Sequence, residues 1–378
     1  MLWGRIVHCS IDKSAGKTLY ASWPAWASRV LFLTIIILAA LPVFSHAPAY
    51  IPGERRWGEA VSKTSDQTLY KQIVTDMDSG RSYYEAAAAE HRARNYPTSP
   101  PQVFREPTLA WMLTALHFRF IRFATLFGLY GVIIVLFFRE LSADGKSFAA
   151  RITSVCAAAT GLSITGISDA VYWHEVWAAL LIALSLLSYR ATSWHMAVLL
   201  GFLACLFREI AIPYLLVMAG FALYERRRKQ FFAWSGATVL FAAVFAVHFL
   251  LASKLHRPGD IVSGSWLAFG GWNFAIATAK WNIFLHLLPY PLIALTLCWS
   301  VVGLAGSRDD RARRAAAIIM GYVISFLMVG RLDNYYWGIL YTPLLPVGLL
   351  LVPPAFCDLL YSAFPSASKM MNRPCATS

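Results

Sequence analysis

Long apolar runs recur along almost the whole chain, and they leave little room for any fold other than a bundle of membrane helices. A helix that crosses the hydrocarbon core of a bilayer needs about 20 mostly apolar residues. About ten candidate runs are present, at 26–44, 119–138, 148–166, 176–189, 196–207, 210–224, 231–252, 283–305, 315–330 and 338–356. They predict an all-α, polytopic membrane helix bundle in which residues 1–378 form a single transmembrane domain.

Composition and charge distribution agree with this class. Hydrophobic residues make up 58% of the chain and charged residues 14%, whereas a soluble domain carries about 25% charge. A net charge of +13 is also found in nucleic-acid-binding proteins. Here, however, the basic residues lie in short loops on alternate turns, such as Arg190 and the run Arg226–Lys229. This pattern predicts that both termini are cytoplasmic and that nucleic acid is not a partner.

One long polar segment, 45–118, follows the first apolar run and is predicted to be an outer, periplasmic loop. Within it Leu69, Ile73 and Met77 are spaced four apart, which places them on one face of a helix. An alanine-rich stretch of strong helix formers comes next, and Pro107 marks the start of a third helix. The loop is therefore expected to form two or three amphipathic helices on the membrane surface.

This loop holds two aspartates and two tyrosines that are candidates for chemistry on a substrate. Asp76 lies one residue off the apolar stripe, and Asp78 lies nearer the end of the predicted helix. Residues spaced i, i+2 point to different sides of a helix, so only one of the two can face a given pocket. Tyr83 and Tyr84 follow and are candidate substrate-binding residues. The alternative is that both aspartates are solvated carboxylates on an exposed helix.

A short outer turn supplies Asp169, His174 and Glu175, the last two at the start of an apolar run. Such groups could bind a sugar hydroxyl or a divalent cation. A His-Glu pair without a third ligand at fixed spacing is a weak metal signal, so no metal residues are assigned. A carboxylate at a helix N-terminus is also favourable in itself, which explains Glu175 without a ligand.

Arg208 and Glu209 interrupt an otherwise apolar stretch. The run before them, 196–207, has about twelve residues and cannot cross a hydrocarbon core of about 30 Å at about 1.5 Å per residue. The chain is therefore predicted to turn below the membrane surface with this pair near the tip. Charges at such depth are usually functional, and the arginine could hold a phosphate. The alternative is a mutually neutralised pair that closes the hairpin.

Two further outer segments combine charge with aromatic residues. Arg331 and Asp333 precede two tyrosines and a tryptophan, and Arg105 lies where the first outer loop returns to the bundle. Arginine beside aromatic rings suits a phosphorylated sugar. An aromatic belt at the interface explains the tyrosines and the tryptophan equally well, and Arg105 could simply extend towards the headgroups.

The bundle, the long first outer loop with its helices, the aspartate in that loop and the charged residues of later outer turns resemble the GT-C superfamily of integral-membrane glycosyltransferases. The loop differs from the protein mannosyltransferases in carrying Asp-Met-Asp instead of adjacent Asp and Glu. The resemblance implies a polyprenyl-phosphate sugar donor, a lipid or glycan acceptor, and a location in a bacterial inner membrane. It implies that Asp76, or alternatively Asp78, is the general base, and that Arg208 or Arg331 binds the phosphate.

Other functions remain open at this point. A polysaccharide polymerase or ligase also uses lipid-linked sugars, but a large, arginine-rich late outer loop is expected there. A transporter or flippase for lipid-linked sugars is favoured by the short runs around Arg208, which are typical of discontinuous helices in carriers. A non-catalytic scaffold leaves the charges within the apolar stretch unexplained.

Overall fold

The protein is all-helical. The computed structural model describes residues 18–44, 66–143, 147–166, 169–264 and 268–365, and these ranges contain no β-strand beyond a single isolated bridge between Ser99 and Val262. Residues 1–17 and 366–378 lie outside the described ranges, so the cytoplasmic placement of the termini stays a prediction. The first part of the predicted outer loop, 45–65, also lies outside them.

Fifteen α-helices follow one another in the described ranges, joined by short turns and 3-10 helices. They are α1 (Ala25–Phe44), α2 (Asp66–Asp78), α3 (Tyr83–Ala93), α4 (Thr108–Ala115), α5 (Arg119–Ala143), α6 (Phe148–Gly161), α7 (His174–Ser188), α8 (His195–Phe207), α9 (Ile212–Tyr224), α10 (Arg228–Ser253), α11 (Gly271–Ala279), α12 (Tyr290–Gly306), α13 (Asp310–Met328), α14 (Leu345–Leu350) and α15 (Val352–Ala363).

Three of these helices, α1, α5 and α10, are long and apolar enough to cross a membrane, and a pair bent by 59°, 342–350 and 352–363, adds a fourth if it forms one span. Only 17% of the apolar window of each long helix is buried inside the protein, so most of that apolar surface is left to face lipid. The chain is therefore a membrane protein. Several other predicted spans correspond to helices of 13 to 17 residues, so the number of crossings stays a prediction.

The α8–α9 hairpin is much shorter than the helix it packs against. Each of its helices has 13 residues, or about 20 Å, whereas α10 has 26, or about 39 Å. The three pack closely because Gly201 has no side chain: a Cβ there would lie 2.8 Å from the Tyr214 ring and 3.0 Å from the Trp234 ring. Because the hairpin stops short, α10 extends past its tip and leaves a recess. We call this end of the bundle the outer end.

Residues 66–116, here the outer segment, fill that recess. The predicted apolar face of α2 is present, and Leu69, Ile73 and Met77 are buried. They belong to the same core cluster as the bundle, so the helices dock onto the bundle instead of lying as separate surface helices. On α10, Nε2 of His248 lies 3.1 Å from the carbonyl oxygen of Phe104, which fastens the segment to that helix.

A buried arginine holds the opposite, inner end of the bundle together. Arg314 on α13 is 1% exposed, and its Nη2 lies 2.6 Å from a carboxylate oxygen of Glu225 and 3.1 Å from Asp310. Its guanidinium also lies between the rings of Tyr189 and Phe221, at 4.4 and 4.5 Å from their centroids. The ends of α7 and α9 are thereby tied to the start of α13.

Replacing Arg314 with methionine is expected to lower the free energy of unfolding by about 2 kcal/mol, because two carboxylates lose a buried partner. Urea or thermal unfolding in detergent measures the change. The neighbouring Arg313→Met is the control, since Arg313 is 40% exposed and pairs with the same Asp310 at 3.2 Å; its effect should stay within about 0.5 kcal/mol. Equal effects of the two substitutions would show that Arg314 contributes no more than a surface charge.

Candidate functional site

Three helix ends meet at the outer end of the bundle, and each brings two adjacent ionisable residues. Arg105 and Glu106 come just before α4, which starts after Pro107. Arg208 and Glu209 follow α8, where the backbone leaves the helix in an extended conformation at Arg208. The third pair, at positions 174 and 175, forms the first turn of α7. Each of these residue pairs therefore lies at a point where a helix begins or ends.

Five side chains make up this charge cluster: Arg105, Glu106, Glu175, Arg208 and Glu209. The Arg208 side chain is 0% exposed, and its Nε donates a hydrogen bond of 2.6 Å to Oε1 of Glu175. Its Nη1 donates to Oε1 of Glu209, and Nη1 of Arg105 lies 3.7 Å from the same oxygen. Glu209 thus lies between two guanidinium groups. Of the predicted site residues, the structure unites Arg105, Glu175, Arg208 and Glu209.

Several polar atoms of the cluster are buried without a hydrogen-bond partner among the described residues. They are Nη1 of Arg105, Nη2 of Arg208, Oε2 of Glu209 and both carboxyl oxygens of Glu106. Buried polar groups in proteins are nearly always paired, and an unpaired one costs about 1–3 kcal/mol. Such a concentration of unpaired donors and acceptors is typical of a place that binds a polar ligand or water.

Glu106 differs from the other acidic residues of the cluster, because its carboxyl group is buried without a hydrogen-bond partner among the described residues. Burial, and after it the Glu209 carboxylate, raises the pKa of Glu106 well above its usual value. Glu106 is therefore neutral, and its O–H group can donate a hydrogen bond to a bound ligand. The buried N–H groups of Arg105 and Arg208 that have no partner need a hydrogen-bond acceptor, such as a phosphate oxygen.

Tyrosines hold Arg105 in place from the outer side. Its Nε donates to the hydroxyl of Tyr70 at 3.0 Å, and its Nη2 to that of Tyr336 at 3.3 Å. Tyr83, a predicted site residue, donates to the Arg105 carbonyl oxygen. Tyr84 has a docking role instead, because its hydroxyl lies 3.1 Å from Nδ1 of His248 on α10.

The space beside the cluster is small. A cavity lined by Tyr70, Tyr83, Leu113, Tyr172 and His174, among others, measures about 10 Å³, which is just enough for one water molecule. His174 is buried, and its ring meets that of Tyr70 edge to face at 4.7 Å. The sequence predicts an open cavity between Asp76 and Arg208; this small cavity is lined by neither of the two residues.

Asp76 and Asp78 lie elsewhere, in ion pairs of their own. Asp76 accepts hydrogen bonds from Arg81 at 2.7 Å and from Gln72 at 3.1 Å. Asp78 accepts from Nη2 of Arg122 at 2.8 and 2.9 Å. Asp76 is six residues beyond Tyr70 on α2, hence about 9 Å further along the helix and about 120° around it. The structure therefore does not bring the predicted base to the arginines.

The acidic residue of α2 on the same face as Tyr70, which is a hydrogen-bond partner of Arg105, is Asp66. It lies one helical turn before Tyr70, on the same face, and its Oδ1 accepts a hydrogen bond of 2.7 Å from the hydroxyl of Tyr96. The sequence carried a signal for it, since Asp66 continues the stripe of Leu69 and Ile73 towards the N-terminus. Glu106 was missed as well, although it adjoins Arg105.

The remaining predicted residues lie around the cluster. Asp169 forms an ion pair with Lys71 on α2 at 3.8 Å. Arg331 donates to the hydroxyl of Ser263 at 3.3 Å, so this predicted phosphate ligand contacts another outer loop. The backbone of Asp333 belongs to the 3-10 helix Leu332–Leu340, but its side chain lies outside the described part of the structure.

Among the described residues, no group of three or more His, Cys, Asp or Glu side chains could hold a metal ion. This gives the predicted divalent cation no ligand set in those ranges. No protein-family model, curated protein or solved structure matches the chain.

Proposed function

We propose that the protein is an integral-membrane glycosyltransferase of GT-C-like architecture with about ten spans. It transfers a sugar from a polyprenyl-phosphate donor to a lipid or glycan acceptor at the non-cytoplasmic face of a bacterial inner membrane. The observation that carries the proposal is the charge cluster, where Arg105 and Arg208 each leave a buried N–H group unpaired at the end of a short membrane hairpin.

The two arginines suit the phosphate of the donor. Nη1 of Arg105 and Nη2 of Arg208 need acceptors, and phosphate oxygens are the acceptors that guanidinium groups bind most strongly. Both side chains are already held by other partners, Arg208 by Glu175 and Arg105 by two tyrosines. Little reorganisation is then needed when phosphate charge develops, which is how fixed donors lower a barrier.

Glu106 adds a neutral acid beside the phosphate. A carboxyl group kept protonated in a buried site can donate a hydrogen bond to a developing anion. Its proton also limits the charge of the cluster: two guanidinium groups face two carboxylates, Glu175 and Glu209, instead of three. A bound phosphate thus meets less repulsion than the count of acidic residues suggests.

The reaction is a single displacement. The acceptor hydroxyl oxygen attacks the anomeric carbon, the bond from that carbon to the phosphate oxygen breaks, and the electron pair stays on the polyprenyl phosphate. The proton of the acceptor passes to Asp66, which takes the role that the sequence assigned to Asp76. Arg105 and Arg208 stabilise the leaving phosphate, and the sugar is transferred with inversion.

A carrier for lipid-linked sugars is the second candidate. It is favoured by the short α8–α9 hairpin and by the 59° bend between 342–350 and 352–363, since broken helices with charged ends are common in transporters. Proteoliposomes separate the two functions: movement of the lipid-linked sugar across the bilayer with no covalent product supports the carrier and contradicts the transferase.

Replacing Arg105 with methionine is expected to lower the transfer rate by about 10²- to 10³-fold, because one fixed donor to the leaving phosphate is lost. The assay follows radiolabelled sugar from polyprenyl phosphate to membrane acceptors in proteoliposomes. Arg331→Met is the matched control, since Arg331 belongs to the last outer turn and donates to Ser263. A larger loss for Arg331→Met than for Arg105→Met would place the phosphate at the last outer turn.

A further inference from the structure

Three tyrosines from separate parts of the chain surround the outer side of Arg105. Tyr70 belongs to α2, Tyr96 follows α3, and Tyr336 belongs to the 3-10 helix of the last outer turn. We call them the tyrosine frame. Each is only partly buried, although each comes from a segment that packs into the outer end of the bundle.

Charged groups bind the tyrosine frame at both of its ends, which we call the base and the rim. At the base, Arg105 donates to the hydroxyls of Tyr70 and Tyr336 at 3.0 and 3.3 Å. At the rim, the Tyr96 hydroxyl donates to Asp66 at 2.7 Å. Burial, and after it the Asp66 carboxylate, raises the pKa of Tyr96, so the phenol stays neutral and keeps its proton on the side of the carboxylate.

The frame differs from the tyrosines of the bundle interior. Tyr189, Tyr214, Tyr322 and Tyr341 are 2% exposed or less, and packing explains their positions. The frame tyrosines instead are each partly exposed, and their hydroxyl groups bond a carboxylate or a guanidinium. An aromatic belt at a lipid interface does not require its hydroxyls to bind an arginine and an aspartate.

This combination matches the chemistry of a sugar ring. A pyranose or furanose offers an apolar C–H face that packs on aromatic rings, and hydroxyl groups that donate to carboxylates and accept from phenols. Phosphate alone would be repelled by Asp66 at the rim and attracted by Arg105 at the base. A glycosyl phosphate therefore fits with its phosphate inward and its sugar within the frame.

We propose that the tyrosine frame is the subsite for the sugar ring of the donor, with Tyr96 as its main stacking surface. The proposal rests on the proposed function, since it places the sugar next to a phosphate on Arg105. It goes further by separating recognition of the sugar from recognition of the lipid phosphate.

The test compares two kinds of lipid on the same protein in nanodiscs: polyprenyl phosphate, and polyprenyl phosphate carrying mannose, glucose or arabinose. Tyr96→Leu removes the ring and is expected to weaken binding of the preferred glycosylated lipid by about tenfold, while binding of the sugar-free lipid changes less than about twofold. Tyr96→Phe keeps the ring and should retain most of the affinity. Native mass spectrometry measures both lipids.

Tyr84→Leu is the control, because the Tyr84 ring stacks on His248 at 5.8 Å and serves docking of the outer segment. Equal weakening of both lipids by Tyr96→Leu, or an equal effect of Tyr84→Leu, overturns the sugar subsite. If the wild-type protein binds neither lipid, the proposed donor class is wrong. Methyl glycosides of the same sugars then decide: thermal stabilisation that Tyr96→Leu abolishes supports the subsite, and no stabilisation of the wild type overturns it.

Discussion

Arg208→Met is expected to lower the free energy of unfolding by about 3–5 kcal/mol, which is the cost of leaving a buried charge without its partner. Arg208 is 0% exposed and contacts two carboxylates, Glu175 and Glu209. Methionine fills the space of the arginine side chain but cannot pair with either carboxylate. Binding of polyprenyl phosphate should be lost together with stability. Denaturant unfolding in detergent and native mass spectrometry of the lipid complex measure the two effects.

Arg81→Met is the matched control for the stability effect. Arg81 also pairs with a carboxylate, Asp76, at 2.7 Å, but its side chain is 56% exposed, and exposed pairs contribute about 0–1 kcal/mol. Arg208→Met combined with Glu175→Gln should be less unstable than Arg208→Met alone, because one unpaired charge is removed. A wild-type-like Arg208→Met protein would mean that the hairpin tip is hydrated.

Asp66→Asn is expected to lower the rate of sugar transfer by about 10²- to 10⁴-fold, the contribution of a positioned general base. Asparagine keeps the size of the side chain and can still accept a hydrogen bond from Tyr96, so folding and membrane insertion should persist. Single-turnover transfer from a preloaded donor measures the chemical step apart from donor binding.

Asp76→Asn provides the comparison, since Asp76 is on the same helix but pairs with Arg81 and Gln72. Its transfer rate should stay within about threefold of wild type, as expected for a partly exposed structural ion pair. A large loss in Asp76→Asn with normal activity in Asp66→Asn would return the base to the position predicted from the sequence, and would require α2 to rotate when substrate binds.

Apolar periodicity predicts the all-helical class of this protein because helix formation depends on residues close in sequence. The stripe of Leu69, Ile73 and Met77 identifies the buried face of α2, and the short runs beside Arg208 identify the hairpin with its charged tip. The same pattern could not show that the outer segment docks into the recess. That docking depends on the difference in length between α8 and α10, and on contacts such as the one from His248 to Phe104.

The choice between carboxylates lay beyond sequence reasoning for a related reason. Asp66, Asp76 and Asp78 share one helix, and only the packing of α2 against α3 and α4 decides which of them reaches Tyr96. Burial, and after it Glu209, raises the pKa of Glu106, and Glu209 is more than 100 residues away in the chain. Such pairs are fixed by tertiary contacts, so neither spacing nor composition reveals them.

The small cavity beside Tyr70 and His174 has a consequence for the fate of an activated sugar. Bulk solvent competes with any acceptor for the anomeric carbon, and an open site would lose donor to hydrolysis. Room for a single solvent molecule beside Tyr70 and His174 keeps that competitor scarce. The outer segment, which itself carries Asp66 and Arg105, thus acts as a shield that favours productive transfer.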